Sequence, residues 1–181
     1  MIDTYDAATA TRASGLLRRT GAALALALVA TLGMAAGDAA LAGGPFAGMG
    51  GSWAGSGTVA TDGGVKERLR CTAQYLVRDD DNNLQQTLSC SSASYELKVN
   101  TYVNHAGGSL SGYWEELRNN VRGTVAGSAR GNSVRVLLRG SGFSATLNLV
   151  TRGRTQSVVV TPGSESQTLF ERVAVTLRKS G

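Results

Sequence analysis

Val65-Lys-Glu-Arg-Leu-Arg-Cys71-Thr-Ala-Gln-Tyr75-Leu-Val-Arg78, then Asp79-Asp-Asp-Asn82, then Asn83-Leu-Gln-Gln-Thr-Leu-Ser-Cys90, reads as a hairpin. Val65, Glu67, Leu69, Cys71, Ala73, Tyr75 and Val77 alternate with a mostly polar set, the period of a half-buried strand. Asp79 to Asn82 is rich in residues that hydrogen-bond their own backbone in turns. If Arg78 pairs with Asn83 across that turn, Val77 meets Leu84, Ala73 meets Leu88 and Cys71 meets Cys90. The turn and the apolar faces set this register without the cysteines, which then fall opposite each other. A Cys71–Cys90 disulfide is therefore expected, closing a short loop and contributing roughly 3 kcal/mol.

The same grammar extends outward in both directions. Trp53 to Ala60 predicts a glycine-interrupted first strand, and Tyr95 to Val103 alternates apolar with polar residues. Strands follow at Leu110–Leu117, Val121–Ala129, Val134–Leu138, Phe143–Leu149 and Gln156–Thr161, with a last one through Val173, Val175 and Leu177. Trp114 to Asn120 suits either a strand end or a short helical turn. Short turns at His105–Gly108, Arg130–Asn132 and Arg152–Arg154 punctuate the run. About ten short strands at even spacing predict an all-β fold, a single antiparallel up-and-down barrel of about 8–10 strands. An outer-membrane barrel needs an apolar outer band. The outward positions here carry Lys66, Arg68, Arg70, Lys98, Arg135 and Arg139, so a water-facing barrel with an apolar inside is expected.

Ahead of the barrel, Arg18-Arg19 is followed by an uncharged run from Gly21 to Ala36 and an exit at Ala40-Leu41-Ala42. A basic start, a short apolar run and a small-residue exit make a helical secretory signal peptide, cleaved before Gly43, or less favourably after Ala36. The apolar run is shorter than the roughly 20 residues a spanning helix needs. Two arginines also fit the twin-arginine pattern, but their generic flanks favour the general export route. The expected organisation is therefore an N-terminal extension and signal over 1–42, a flexible Gly-rich leader over 43–51, and the barrel over 52–181, periplasmic or secreted. An even pair of cysteines suits that oxidising setting.

The net charge of +5 belongs to the part after Ala42. Between Glu116 and Glu165 lie Arg118, Arg122, Arg130, Arg135, Arg139, Arg152 and Arg154 with no acid. Such a run can face an anionic partner, such as lipopolysaccharide, a phospholipid headgroup or an acidic protein. Solubilising charge on outward strand positions is the favoured reading. No nucleic-acid partner is expected.

Catalytic signals are weak, and no enzyme activity, metal or cofactor is expected. His105 stands in a turn without a nucleophile motif. Gly51-Ser-Trp-Ala-Gly55 and Gly140-Ser-Gly142 lack the helix that a nucleophile elbow requires. Glu115 and Glu116 point to opposite faces of a strand. Asp79 to Asn82 lacks the spacing of a calcium loop.

Gly51-Ser52-Trp53 at the first strand resembles the opening of the calycin barrels, the lipocalin and avidin class, and Gly112-Tyr113-Trp114 repeats the pattern in mid-chain. The chain as a whole resembles exported bacterial β-barrel proteins. The calycin likeness implies that Trp53 plugs a closed end under a late-strand arginine, Arg172 or Arg178. It implies a pocket without naming a ligand. The helix and long loop of lipocalins are absent. Two functions stay open: a binder of a small hydrophobic ligand among Trp114, Tyr75, Tyr95 and Phe143, or an envelope protein-interaction module (an inhibitor or assembly factor) with a filled barrel. An eight-strand barrel fills with side chains, whereas ten strands leave room.

Overall fold

The computed structural model describes residues 43–61, 63–164, 166 and 170–181. The expected signal peptide lies outside the described residues.

Ten antiparallel strands follow one another around the barrel: β1 (Gly51–Thr61), β2 (Lys66–Arg78), β3 (Asn83–Ser91), β4 (Glu96–Ala106), β5 (Ser109–Glu116), β6 (Val121–Arg130), β7 (Ser133–Gly140), β8 (Phe143–Arg152), β9 (Thr155–Pro162) and β10 (Phe170–Lys179). Each pairs with its sequence neighbours, and β1 pairs with β10 to close the cylinder. This is the expected up-and-down barrel at the upper end of its strand number. Closure leaves no unpaired sheet edge.

The β2–β3 hairpin has the expected register: Arg78 opposite Asn83, Val77 opposite Leu84, Ala73 opposite Leu88 and Cys71 opposite Cys90. Cys71 and Cys90 are joined as a disulfide with their Cα atoms 4.1 Å apart. The pair is compatible with an oxidising compartment. Several boundaries differ from expectation: His105, Arg130 and Arg152, expected in turns, lie in β4, β6 and β8. Val65 lies in the turn before β2 and is 60% exposed, because the inward alternation starts only at Glu67. After Glu116 the chain turns back, with Asn120 at φ 53°, so Leu117 is exposed instead of ending a strand.

Alternation sends one apolar set inward along every strand, including Leu69, Val103, Leu110, Val125, Val136 and Leu177, all buried. Arg122, Arg130, Arg135, Arg139 and Arg152 from the acid-free stretch stand exposed. The ring pair Tyr102 and Tyr113 stacks at 4.6 Å across β4 and β5.

The Gly-rich leader packs onto the barrel. Gly44 N–H donates to Asp80 O at 2.8 Å and Phe46 N–H to Asp81 O at 3.2 Å. Asp79, Asp80 and Asp81 all adopt positive φ. This left-handed turn sits beside the leader that its carbonyls receive. Phe46 and Met49 are then 1% and 2% exposed. Two apolar side chains three residues apart drive this burial, which the count of leader glycines obscured.

Candidate functional site: the barrel lumen

The barrel ends differ. At one, Trp53 is buried at 1% exposure with Phe46 and Met49. Trp53 Nε1–H donates to Met49 O at 2.7 Å, so the indole is satisfied as well as packed. Tyr75 meets the Trp53 ring edge-on at 6.2 Å. Trp53 thus sits at the end that the calycin likeness implies, but the expected arginine cover is not there. Arg178 pairs with Ala54, and Arg172 pairs with Ala60 toward the other end; both are exposed. Lys179, opposite Trp53 in the β1–β10 ladder, holds its Nζ 5.9 Å from the ring centroid and donates to Gly48 O at 2.9 Å. Two-residue periodicity explains the correction: positions 173, 175, 177 and 179 share the inward face, whereas 172 and 178 do not.

Between the ends lies a lumen of about 770 Å³. It runs from Phe46 and Met49 at the plugged end to Ser94, Tyr95, Asn119, Ser141 and Gly142 at the other, where these five are exposed. Most of the wall is aliphatic, with Leu88, Val99, Val121, Leu147, Val158 and Val160 among it. The Cys71–Cys90 disulfide also forms part of this wall.

Trp114, Tyr75, Tyr95 and Phe143 all line this one cavity. Trp114 projects from β5 opposite Gly123 of β6, and Gly123 in turn lies opposite Gly140 of β7. A Cβ at Gly123 would stand 2.8 Å from Trp114 Cε2, and one at Gly140 would stand 3.0 Å from Cζ2. The two glycines therefore make the shelf on which the indole lies. Phe143, opposite Gly140, closes the shelf edge-on to Trp114 at 5.5 Å. Trp114 is 8% exposed and its Nε1–H has no partner among the described residues.

Tyr75 lies deep in the barrel. Its hydroxyl donates to Gln156 Oε1 at 3.0 Å and accepts from Gln86 Nε2 at 2.9 Å, forming a polar chain across the interior. Burial pushes its phenol up to about 12, against the opposing pull of the Gln86 hydrogen bond. Tyr95 stands at the mouth, 48% exposed. Burial, followed by the Glu116 charge, pushes its phenol up.

The sequence reading missed the two acids of the mouth. Glu116 is 6% exposed and lines the lumen. Its carboxylate accepts from Arg118 N–H at 3.0 Å, Asn119 N–H at 2.7 Å, Asn119 Nδ2 at 2.9 Å and Lys98 N–H at 3.4 Å. Burial pushes its pKa up, and these hydrogen bonds together outweigh burial and hold it below the usual carboxylate value. Glu67 accepts from the Ser94 N–H at 3.3 Å and from the Ser94 hydroxyl. Hydrogen bonds from Ser92 and Ser94 lower its pKa. Each acid fastens one turn of the mouth. The signal was present in the alternation, since Glu116 follows Trp114 by two and Glu67 precedes Leu69 by two.

The remaining polar candidates have local roles. His105 Nδ1 lies 2.7 Å from Asn82 Oδ1, and its backbone N–H donates to Asn82 O at 2.8 Å, tying β4 to the β2–β3 turn. The calcium-like Asp79–Asn82 segment offers its carbonyls to the leader and to His105. Glu115, on the outer face, lies 4.0 Å from Arg122.

No family model matches this chain, and no curated protein sequence matches it. Solved structures do match. The crystal structure of Rv2717c from M. tuberculosis superposes with a TM-score of 0.59 at 14% identity, covering 75% of this chain and 94% of that one. The S-type phycobiliprotein lyase CPES from Guillardia theta gives a TM-score of 0.48 at 8% identity, covering 75% of this chain and 91% of that one. At 14% identity the likeness to Rv2717c concerns the fold alone, here a closed antiparallel barrel.

Proposed function

We propose that this chain is an exported, non-enzymatic barrel that holds a small, largely apolar molecule in its lumen. The observation that carries this reading is the lumen itself, about 770 Å³ and mostly aliphatic. Pockets for small molecules span roughly 300–1,000 Å³ and combine apolar walls with a few polar groups. Here those groups are the mouth acids and the Gln86–Tyr75 chain. A partner-binding module with a filled barrel has no use for such a space.

Export is supported by the Arg18–Ala42 pattern and by the Cys71–Cys90 disulfide. Exposed Arg68, Arg70, Arg135 and Arg139 on the outer wall support a barrel bathed in water. At mid-membrane on a lipid-facing wall each would cost about 2–4 kcal/mol. The non-enzymatic reading is supported by the engagement of His105 with Asn82, and of Glu116 with backbone donors of the mouth.

Native mass spectrometry of the protein purified from the exporting cell tests the reading. A co-purified species released on denaturation is expected. A bare polypeptide mass that also gains nothing on exposure to a lipid extract contradicts it.

A further inference from the structure

The formal charges in the lumen wall have one sign. Glu67 and Glu116 line it, and no lysine, arginine or histidine among the described residues does. The chain as a whole is the reverse, at +5. Around the mouth Lys66, Lys98, Arg118, Arg122, Arg139 and Arg172 stand exposed, with Arg118 paired to Glu96 and Arg122 facing Glu115. An anionic headgroup drawn into the lumen gives up its water and finds no cation among the described lining residues to compensate. Left at the mouth, it sits beside two carboxylates.

A cationic headgroup is poorly served as well. Glu116 already accepts four hydrogen bonds from residues 98, 118 and 119, and Glu67 holds Ser94. Clamping a cation would draw them from the turns they fasten. The rest of the wall is mostly aliphatic, and Trp114 Nε1, which has almost no accessible surface, does not open to the lumen.

Resting on the lumen reading above, we infer that the site takes an uncharged, largely apolar molecule, such as an alkyl ester or ether, and discriminates against carboxylates and phosphates of the same chain.

The test loads the lumen with the neutral fluorophore N-phenyl-1-naphthylamine and displaces it at pH 7.5 with three probes of one chain length: methyl dodecanoate, dodecanoate and dodecyltrimethylammonium. The ester is expected to displace at a concentration at least about tenfold lower than dodecanoate, a gap of about 1.4 kcal/mol, with the cation also weaker than the ester. Glu67→Gln is expected to narrow the ester–dodecanoate gap by about threefold, because one of two repelling charges is gone. Equal displacement by ester and dodecanoate, or tightest displacement by the cation, overturns the inference while leaving the lumen occupied. Failure of the fluorophore to enter, together with no change in tryptophan emission on adding the ester, removes the lumen reading and this inference with it.

Discussion

Trp53 and Lys179 face each other across the β1–β10 seam that closes the barrel, with the ammonium 5.9 Å from the indole centroid. The same ammonium bonds Gly48 O of the leader, so one side chain joins the seam, the plug and the leader. Lys179→Met keeps the aliphatic stem but removes both polar contacts, and is expected to cost about 1 kcal/mol. Lys179→Arg should retain most of that stability. Urea midpoints of the three proteins measure this; an unchanged midpoint for Lys179→Met would show that the contact contributes nothing.

The disulfide is the second expectation. Thiol labelling of the denatured, unreduced protein should find no free thiol, since both cysteines of the chain are paired. Replacing both by alanine should lower stability by roughly 3 kcal/mol, the value for a short closed loop, while leaving the β-sheet circular dichroism intact. Two free thiols per chain would contradict the bridge.

The mouth should respond to acid. Glu116 is held below its ordinary value of 4.5, so its contribution to stability is fully present above that value. It is lost as pH falls through the lower pKa of the folded state. Hydrogen exchange at the amides of Arg118 and Asn119 should therefore accelerate on acidification below about pH 4, after correction for intrinsic rates. Glu116→Gln should show faster exchange at pH 7 and lose most of the pH response. A wild-type profile that stays flat down to pH 2 would contradict the role of the carboxylate in holding this turn.

Much of this architecture was legible because a half-buried strand declares itself by alternation. The β2–β3 register follows from Val77, Leu84, Ala73 and Leu88 without the cysteines, and the same two-residue period marks most later strands. The site was legible only in part. Trp114 and Phe143 could be nominated as large aromatics, but the shelf beneath Trp114 is built by Gly123 and Gly140, and glycine carries no hydrophobic signal. The plug was hidden for a similar reason, since Phe46 and Met49 sit among glycines that read as linker. Lys179 is not legible from the calycin likeness, which implies an arginine cover. Parity along β10 would have chosen residue 179 over 178 once Trp53 was assigned inward.

The central claim is that the lumen is a binding space for a small apolar molecule. Its most direct measurement is a fluorescence titration of N-phenyl-1-naphthylamine against the wild-type protein and Val136→Trp in parallel. Val136 is 6% exposed and lines the lumen, so an indole there projects into the cavity. The wild type should take up the dye saturably, one per chain, and Val136→Trp should bind it at least about tenfold more weakly while keeping the β-sheet circular dichroism. Equal uptake by the two proteins would place the dye outside the lumen, and no uptake by the wild type would contradict the claim outright.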